Sequence, residues 1–101
     1  MENFVKVTLQ GRAGKIEARN INGMNEYRIS VCVENVMRDK GGNAAVSCDW
    51  WNVIYWAEKE LPVRAWDTVS VEGRLRQRRY MNAEGGASFY TEIVAKEVRV
   101  L

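Results

Sequence analysis

Apolar residues in this chain recur at every second position over most of its length, the period of a half-buried strand and not of an amphipathic helix. Val5, Val7 and Leu9 alternate with Lys6, Thr8 and Gln10, and Gly11 follows. Tyr27, Ile29, Val31 and Val33 alternate with Arg28, Ser30, Cys32 and Glu34. A third segment, CDWWNVIYWAEKE from Cys48 to Glu60, puts Trp51, Val53 and Tyr55 on one face. Trp50, Asn52, Ile54 and Trp56 fall on the other. A fourth sets Val69, Val71, Gly73 and Leu75 against Ser70, Glu72, Arg74 and Arg76. A fifth, Phe89 to Leu101, is β-branched and apolar with less regular alternation. Turn-forming runs separate the segments: Asn22-Gly23, Asp39-Lys40-Gly41-Gly42-Asn43 and Asn82-Ala83-Glu84-Gly85-Gly86. Only Ala57 to Ala65 has room for helix, and Pro62 cuts into it.

The order strand–strand–strand–short helix–strand–strand predicts an all-β domain. Closing it into a barrel removes the edges that five strands would otherwise expose. A five-stranded Greek-key barrel with one short helical turn between strands 3 and 4, and with long hairpin loops, is an OB-fold. The helix position selects it among small barrels. The length of 101 residues fits one domain, residues 1–101, and 47% hydrophobic residues suffice for one core. A charged fraction of 28% with a single proline excludes a low-complexity chain. No apolar run reaches the roughly 18 residues of a membrane helix. Met1 to Lys6 shows neither a basic leader nor an apolar signal region, so the expected location is the cytoplasm. Cys32 and Cys48 lie in strand segments and are expected as reduced, structural thiols. The alternative, a bridge between them, has little in the sequence to motivate it.

Charge sharpens the picture. The net charge is only +2, but it is uneven. Residues 31–60 hold three basic and five acidic groups, whereas Arg74 to Arg79 holds four arginines and no acid. Arg74, Arg76, Arg78 and Tyr80 share the face opposite Val71, Gly73 and Leu75. On the third strand Trp51, Val53 and Tyr55 read as core or subunit contact. The face of Trp50 and Trp56, interrupted by Asn52, reads as surface. Those two rings stand about 20 Å apart along an extended strand, so they are separate platforms for an extended ligand. Each feature alone has a plainer reading. Alternating arginine is ordinarily a solvated face, and exposed tryptophan ordinarily a protein contact. Together they favour single-stranded nucleic acid, in which cations track phosphates and each stacked base is worth roughly 1–3 kcal/mol. The glycine-rich turn after Met37, with Arg38 and Lys40, either closes over such a strand or is a plain hairpin. Gly11-Arg12-Ala13-Gly14-Lys15 has the composition of a phosphate loop without its spacing.

Catalysis and metal binding have little support. There is no histidine to act as general base, and the three aspartates form no catalytic pair. Two cysteines without histidine are too few for a zinc site. Glu72 beside Arg74 reads as a structural pair or as surface charge. No enzyme activity, metal or cofactor is expected.

Across nearly its whole length the chain resembles the bacterial single-stranded DNA-binding protein family. The matching pieces run in family order: VKVTLQGRAGK (5–15), YRISVCVENVMRDK (27–40), DWWNVIYWA (49–57), VSVEGRLRQRRY (69–80) and YTEIVAKEVRVL (90–101). The fourth piece, Val-x-Val-Glu-Gly-x-Leu-Arg-x-Arg-x-aromatic, is the most specific. The resemblance implies an OB-fold that binds single-stranded DNA without regard to sequence, in replication, recombination and repair at the cytoplasmic nucleoid. It implies a homotetramer in preference to a dimer; with no membrane-length apolar run, no membrane partner is expected. The family's stacking aromatics fall on Trp50, Trp56 and Tyr80, and its fourth falls on Met37. The basic residues expected on phosphates are Arg12, Lys15, Arg28, Arg38, Lys40, Arg74, Arg76, Arg78 and Arg79.

Three departures stand out. The segment after Trp56 is short, so the family's helix is expected to shrink to about a turn. Trp51 replaces a typically polar residue. The chain stops at Leu101 without the family's acidic tip, so tail-mediated replication partners are not expected. That ending fits a compact variant, from a mobile element for instance, or a trimmed core. Two rival readings remain: a dimeric OB-fold of the primosomal replication protein N type, and a protein–protein adaptor that binds no nucleic acid.

Overall fold

The computed structural model describes residues 3–101. Its strands are β1 (Lys6–Ile21), β2 (Met24–Arg38), β3 (Ala44–Ala57), β4 (Thr68–Met81) and β5 (Ala87–Val100). They close into a barrel in the order β1-β2-β3-β5-β4. All neighbours run antiparallel except β3 and β5, which pair in parallel at Val53–Ile93 and Ile54–Val94. β1 closes the ring by serving two partners. Lys6 to Arg12 pairs with β4, and Arg12 to Ile21 pairs with β2. The change of partner occurs at Arg12, and a register shift follows between Ala13 and Ile16; such bulges bend strands. Gly11 sits at the crossing because a Cβ there would stand 2.3 Å from the Cys32 carbonyl oxygen.

The core follows the alternation of the sequence. Ala13, Tyr27, Ile29, Val31, Val53, Val69, Val71 and Ile93 are buried together inside the barrel. Each fully buried Val or Ile contributes about 1.5–3 kcal/mol of transfer free energy. Asn22 and Gly23 both take positive φ, 51° and 86°, as the tight β1–β2 hairpin requires. Two further hairpins leave the barrel as arms. Asp39 ties the β2–β3 turn by accepting the N–H groups of Gly41 and Asn43, each at 2.9 Å. Asn82 does the same in the β4–β5 turn for Glu84 and Gly86. The arms raise the radius of gyration to 16.1 Å, where a compact chain of this length measures about 13 Å. The expected long hairpin loops are therefore paired strands that run almost to their turns.

Three expectations are corrected. No helix occurs among the described residues, so the helical turn between strands 3 and 4 is absent. Pro62 offers no N–H, and a turn closed by Asp67 N–H on Arg64 O at 3.1 Å follows almost at once, leaving no room for a helical nucleus. Instead the Leu61 N–H donates to the buried Tyr27 hydroxyl at 2.9 Å, which pins the segment to β2. Cys32 and Cys48 are not reduced thiols. They form a disulfide between β2 and β3, with Cα atoms 5.6 Å apart. Cys32 faces Trp50 and Cys48 faces Glu34, so register makes them diagonal neighbours. Finally, Glu72 pairs with Lys6 at 3.2 Å and not with Arg74.

Candidate nucleic-acid interface

The outward side chains of β3 sit in register with those of β2. Trp56 faces Glu26, Ile54 faces Arg28, Asn52 faces Ser30 and Trp50 faces Cys32. β1 extends this face with Arg19 opposite Glu26 and Glu17 opposite Arg28. On the other side, the parallel pairing brings β5 alongside β3, and β4 sets Arg76 opposite Glu92 and Arg78 opposite Tyr90. A groove of about 340 Å³ runs across the face, lined among others by Lys15, Arg28, Asn52, Tyr90 and Glu92.

Trp50 and Trp56 are exposed at 55% and 42%, so their rings have free faces. Trp50 lies against β1 as well as β3, because a Cβ at Gly14 would meet its Cζ3 at 2.7 Å. Between them Ile54 is only 2% exposed and forms part of the groove floor, although its parity matches the exposed rings. Tyr80 is exposed near the tip of the β4–β5 arm. Its ring packs against Tyr90 with centroids 5.7 Å apart at 58°. Met37 is exposed on the β2–β3 arm beside Arg38. The structure thus places Trp50 and Trp56 on the barrel, and Met37 and Tyr80 on separate arms.

The cations divide into two groups. Five on this face are held by carboxylates. Glu26, buried on the outer face, takes hydrogen bonds from Arg19 Nε and Arg28 Nε, each at 3.0 Å. Burial, the largest influence, would raise the Glu26 carboxyl, but those arginines together outweigh it and hold it below its ordinary value. Glu92 is 1% exposed and accepts Arg76 Nε at 2.8 Å, with Arg78 Nε at 3.8 Å. Lys15 pairs with Glu17 at 2.7 Å in full solvent. Of the predicted phosphate residues, Lys15, Arg28, Arg76 and Arg78 are therefore already paired. Arg12, Arg38, Lys40, Arg74 and Arg79 are exposed and in no ion pair among the described residues.

Sequence reasoning missed Glu26, Tyr90 and Glu92. Tyr90 and Glu92 are two apart in the least regular segment, and their roles come from pairing with β4. Arg78 also stands over the Tyr90 ring, 6.0 Å from its centroid. Trp51 has the parity of the core but is 37% exposed.

A closed five-stranded Greek-key barrel with rings and ordered cations on its outer face defines the class: this is an OB-fold. More narrowly, the chain belongs to the single-strand binding protein family, whose model matches residues 4–101. It is 30% identical over 83 residues to a single-stranded DNA-binding protein of Xanthomonas axonopodis pv. citri, covering 78% of this chain and 46% of that protein. It is 29% identical over 85 residues to single-stranded DNA-binding protein 1 of Xylella fastidiosa, covering 79% and 62%. The chain thus spans about half the length of the curated relatives it matches. In fold it is similar to the Plasmodium falciparum SSB solved in complex with ssDNA, with a TM-score of 0.81 at 21% identity, covering 100% of this chain and 97% of that one.

Proposed function

We propose that this protein binds single-stranded DNA without regard to base order and protects it during replication, recombination and repair. The observation that carries the reading is the outer barrel face, where Trp50 and Trp56 stand exposed among arginines fixed by Glu26 and Glu92. Bases stack on Trp50 and Trp56, and on Tyr80 and Met37 where the arms fold over the strand. Phosphates meet Arg12, Arg38, Lys40, Arg74 and Arg79 first, then the paired Lys15, Arg28, Arg76 and Arg78. The role is binding and not catalysis.

Self-association belongs to the same reading, as a homotetramer in preference to a dimer. Trp51 supports it, since a ring with core parity left 37% exposed is suited to a subunit contact. The site of action is the nucleoid in the cytoplasm.

The test is fluorescence anisotropy of labelled oligo-dT and mixed-sequence oligonucleotides at low salt, with duplex DNA as competitor. Tight binding of single strands, indifferent to sequence and poorly competed by duplex, is expected. Trp56→Ala and Tyr80→Ala should each weaken it about 5- to 150-fold while thermal stability holds, since one stacked base is worth roughly 1–3 kcal/mol. Absence of single-strand binding at low salt would remove the reading.

A further inference from the structure

Trp66 lies in the turn between β3 and β4 with φ at 72°. That left-handed region disfavours any side chain with a Cβ and above all a bulky one. The ring is 67% exposed, so burial does not compensate for the strain. The backbone is nonetheless firmly mounted. Trp66 N–H donates to the Ala13 carbonyl at 2.6 Å, and Ala13 N–H donates to the Asp67 carbonyl at 2.8 Å. Arg64 N–H donates to the Asp67 carboxylate at 2.9 Å. A strained and fixed backbone holding an aromatic ring in solvent points to a binding element.

Its position says for what. Trp66 is anchored on Ala13, and the next residue, Gly14, lies against the Trp50 ring. Two tryptophans therefore converge on one dipeptide of β1, one by its backbone and one by its ring. Two cations stand close to Trp66 in register and in sequence. Arg12 faces Thr68 in the β1–β4 register, two residues from Trp66, and Arg64 precedes it by two. Both are exposed, and neither is in an ion pair among the described residues. An apolar protein partner would leave these charges stranded, whereas a phosphate would meet them.

We propose that Trp66, with Arg12 and Arg64, forms a further nucleotide subsite that continues the DNA path beyond Trp50. The inference rests on the single-stranded DNA reading above. It gives the strand a further stacking surface in the β3–β4 turn, outside both arms.

The decisive variant is Trp66→Gly, because glycine accepts the left-handed φ without strain. Removing the ring should weaken DNA binding while leaving the melting temperature equal or higher. A purely structural residue would not combine those signs. Anisotropy with oligo-dT of increasing length should show a loss of about 5- to 150-fold on long oligonucleotides. The loss should shrink on oligonucleotides too short to pass Trp50. Trp66→Phe should retain most of the affinity. Should Trp66→Gly fold poorly, Trp66→Asn provides the same reading, since asparagine tolerates left-handed φ. Wild-type affinity at every length overturns the proposal. So does unchanged affinity with a smaller assembly by light scattering, which would reassign the ring to self-association. A wild-type protein that binds no oligo-dT removes the parent reading instead, whereas a binding wild type with an indifferent Trp66→Gly removes this inference alone.

Discussion

A methyl group added at Gly14 would stand 2.7 Å from Cζ3 and 3.0 Å from Cη2 of Trp50. Gly14→Ala therefore moves the ring or the strand beneath it. The ring gives way more easily, because it is 55% exposed and its far edge is what clashes. It must retreat by about 0.7 Å to reach ordinary contact at 3.4 Å. Gly14 lacks the positive φ that would make alanine strained for its own sake. The fold should lose little. Binding should lose part or all of one stacking platform, up to roughly 1–3 kcal/mol, which is about 5- to 150-fold in affinity. Anisotropy with labelled oligo-dT, beside thermal melts of the same preparations, measures both. Unchanged affinity at an unchanged melting temperature refutes the role of Trp50. A collapse of the melting temperature refutes the claim that the ring and not the strand yields.

Three other outcomes follow from the same geometry. Gly73→Ala puts its Cβ 2.3 Å from the Val94 carbonyl oxygen, a backbone atom with nowhere to go; urea unfolding should show a loss of about 1–3 kcal/mol or more. Glu26 is held below its ordinary value, so its stabilisation is complete above about pH 4.5 and is lost as pH falls through the lower, folded value. Glu26→Gln should accordingly flatten that part of the acid limb in pH-dependent melts, and an identical limb would refute the pairing. If only the five unpaired cations release counterions on binding, the slope of log affinity against log salt should be about −3.5. All nine neutralising phosphates would give about −6, and a slope near zero would refute the phosphate contacts of both groups.

The parity of β3 was legible in the sequence. It sends Val53 inward to 1% exposure and leaves Trp50 and Trp56 outside. Parity failed where something else covered or uncovered a position. Ile54 shares the face of the exposed rings yet is buried in the groove floor with Arg28 and Tyr90 beside it. Trp51 shares the face of Val53 yet is 37% exposed. What depended on register was not legible. Cys32 meets Cys48, Glu92 meets Arg76 and Leu61 meets Tyr27 across separations of 16, 16 and 34 residues. Alternation assigns a face to each of these residues but never a partner. The strand lengths were also underestimated, since β2 runs on to Arg38 through the polar, exposed residues of its arm.

The two buried carboxylates have a thermodynamic meaning beyond charge. An arginine fixed in one rotamer gives up as much as about 1.5–2 kcal/mol of conformational entropy. Glu26 and Glu92 impose that ordering on Arg28 and Arg76 when the barrel folds. On the proposed reading, a DNA strand reaching this face would meet guanidinium groups already ordered, so less of their rotamer entropy would be lost on binding. Preorganisation of this kind shifts an entropic cost from the binding step to the folding step.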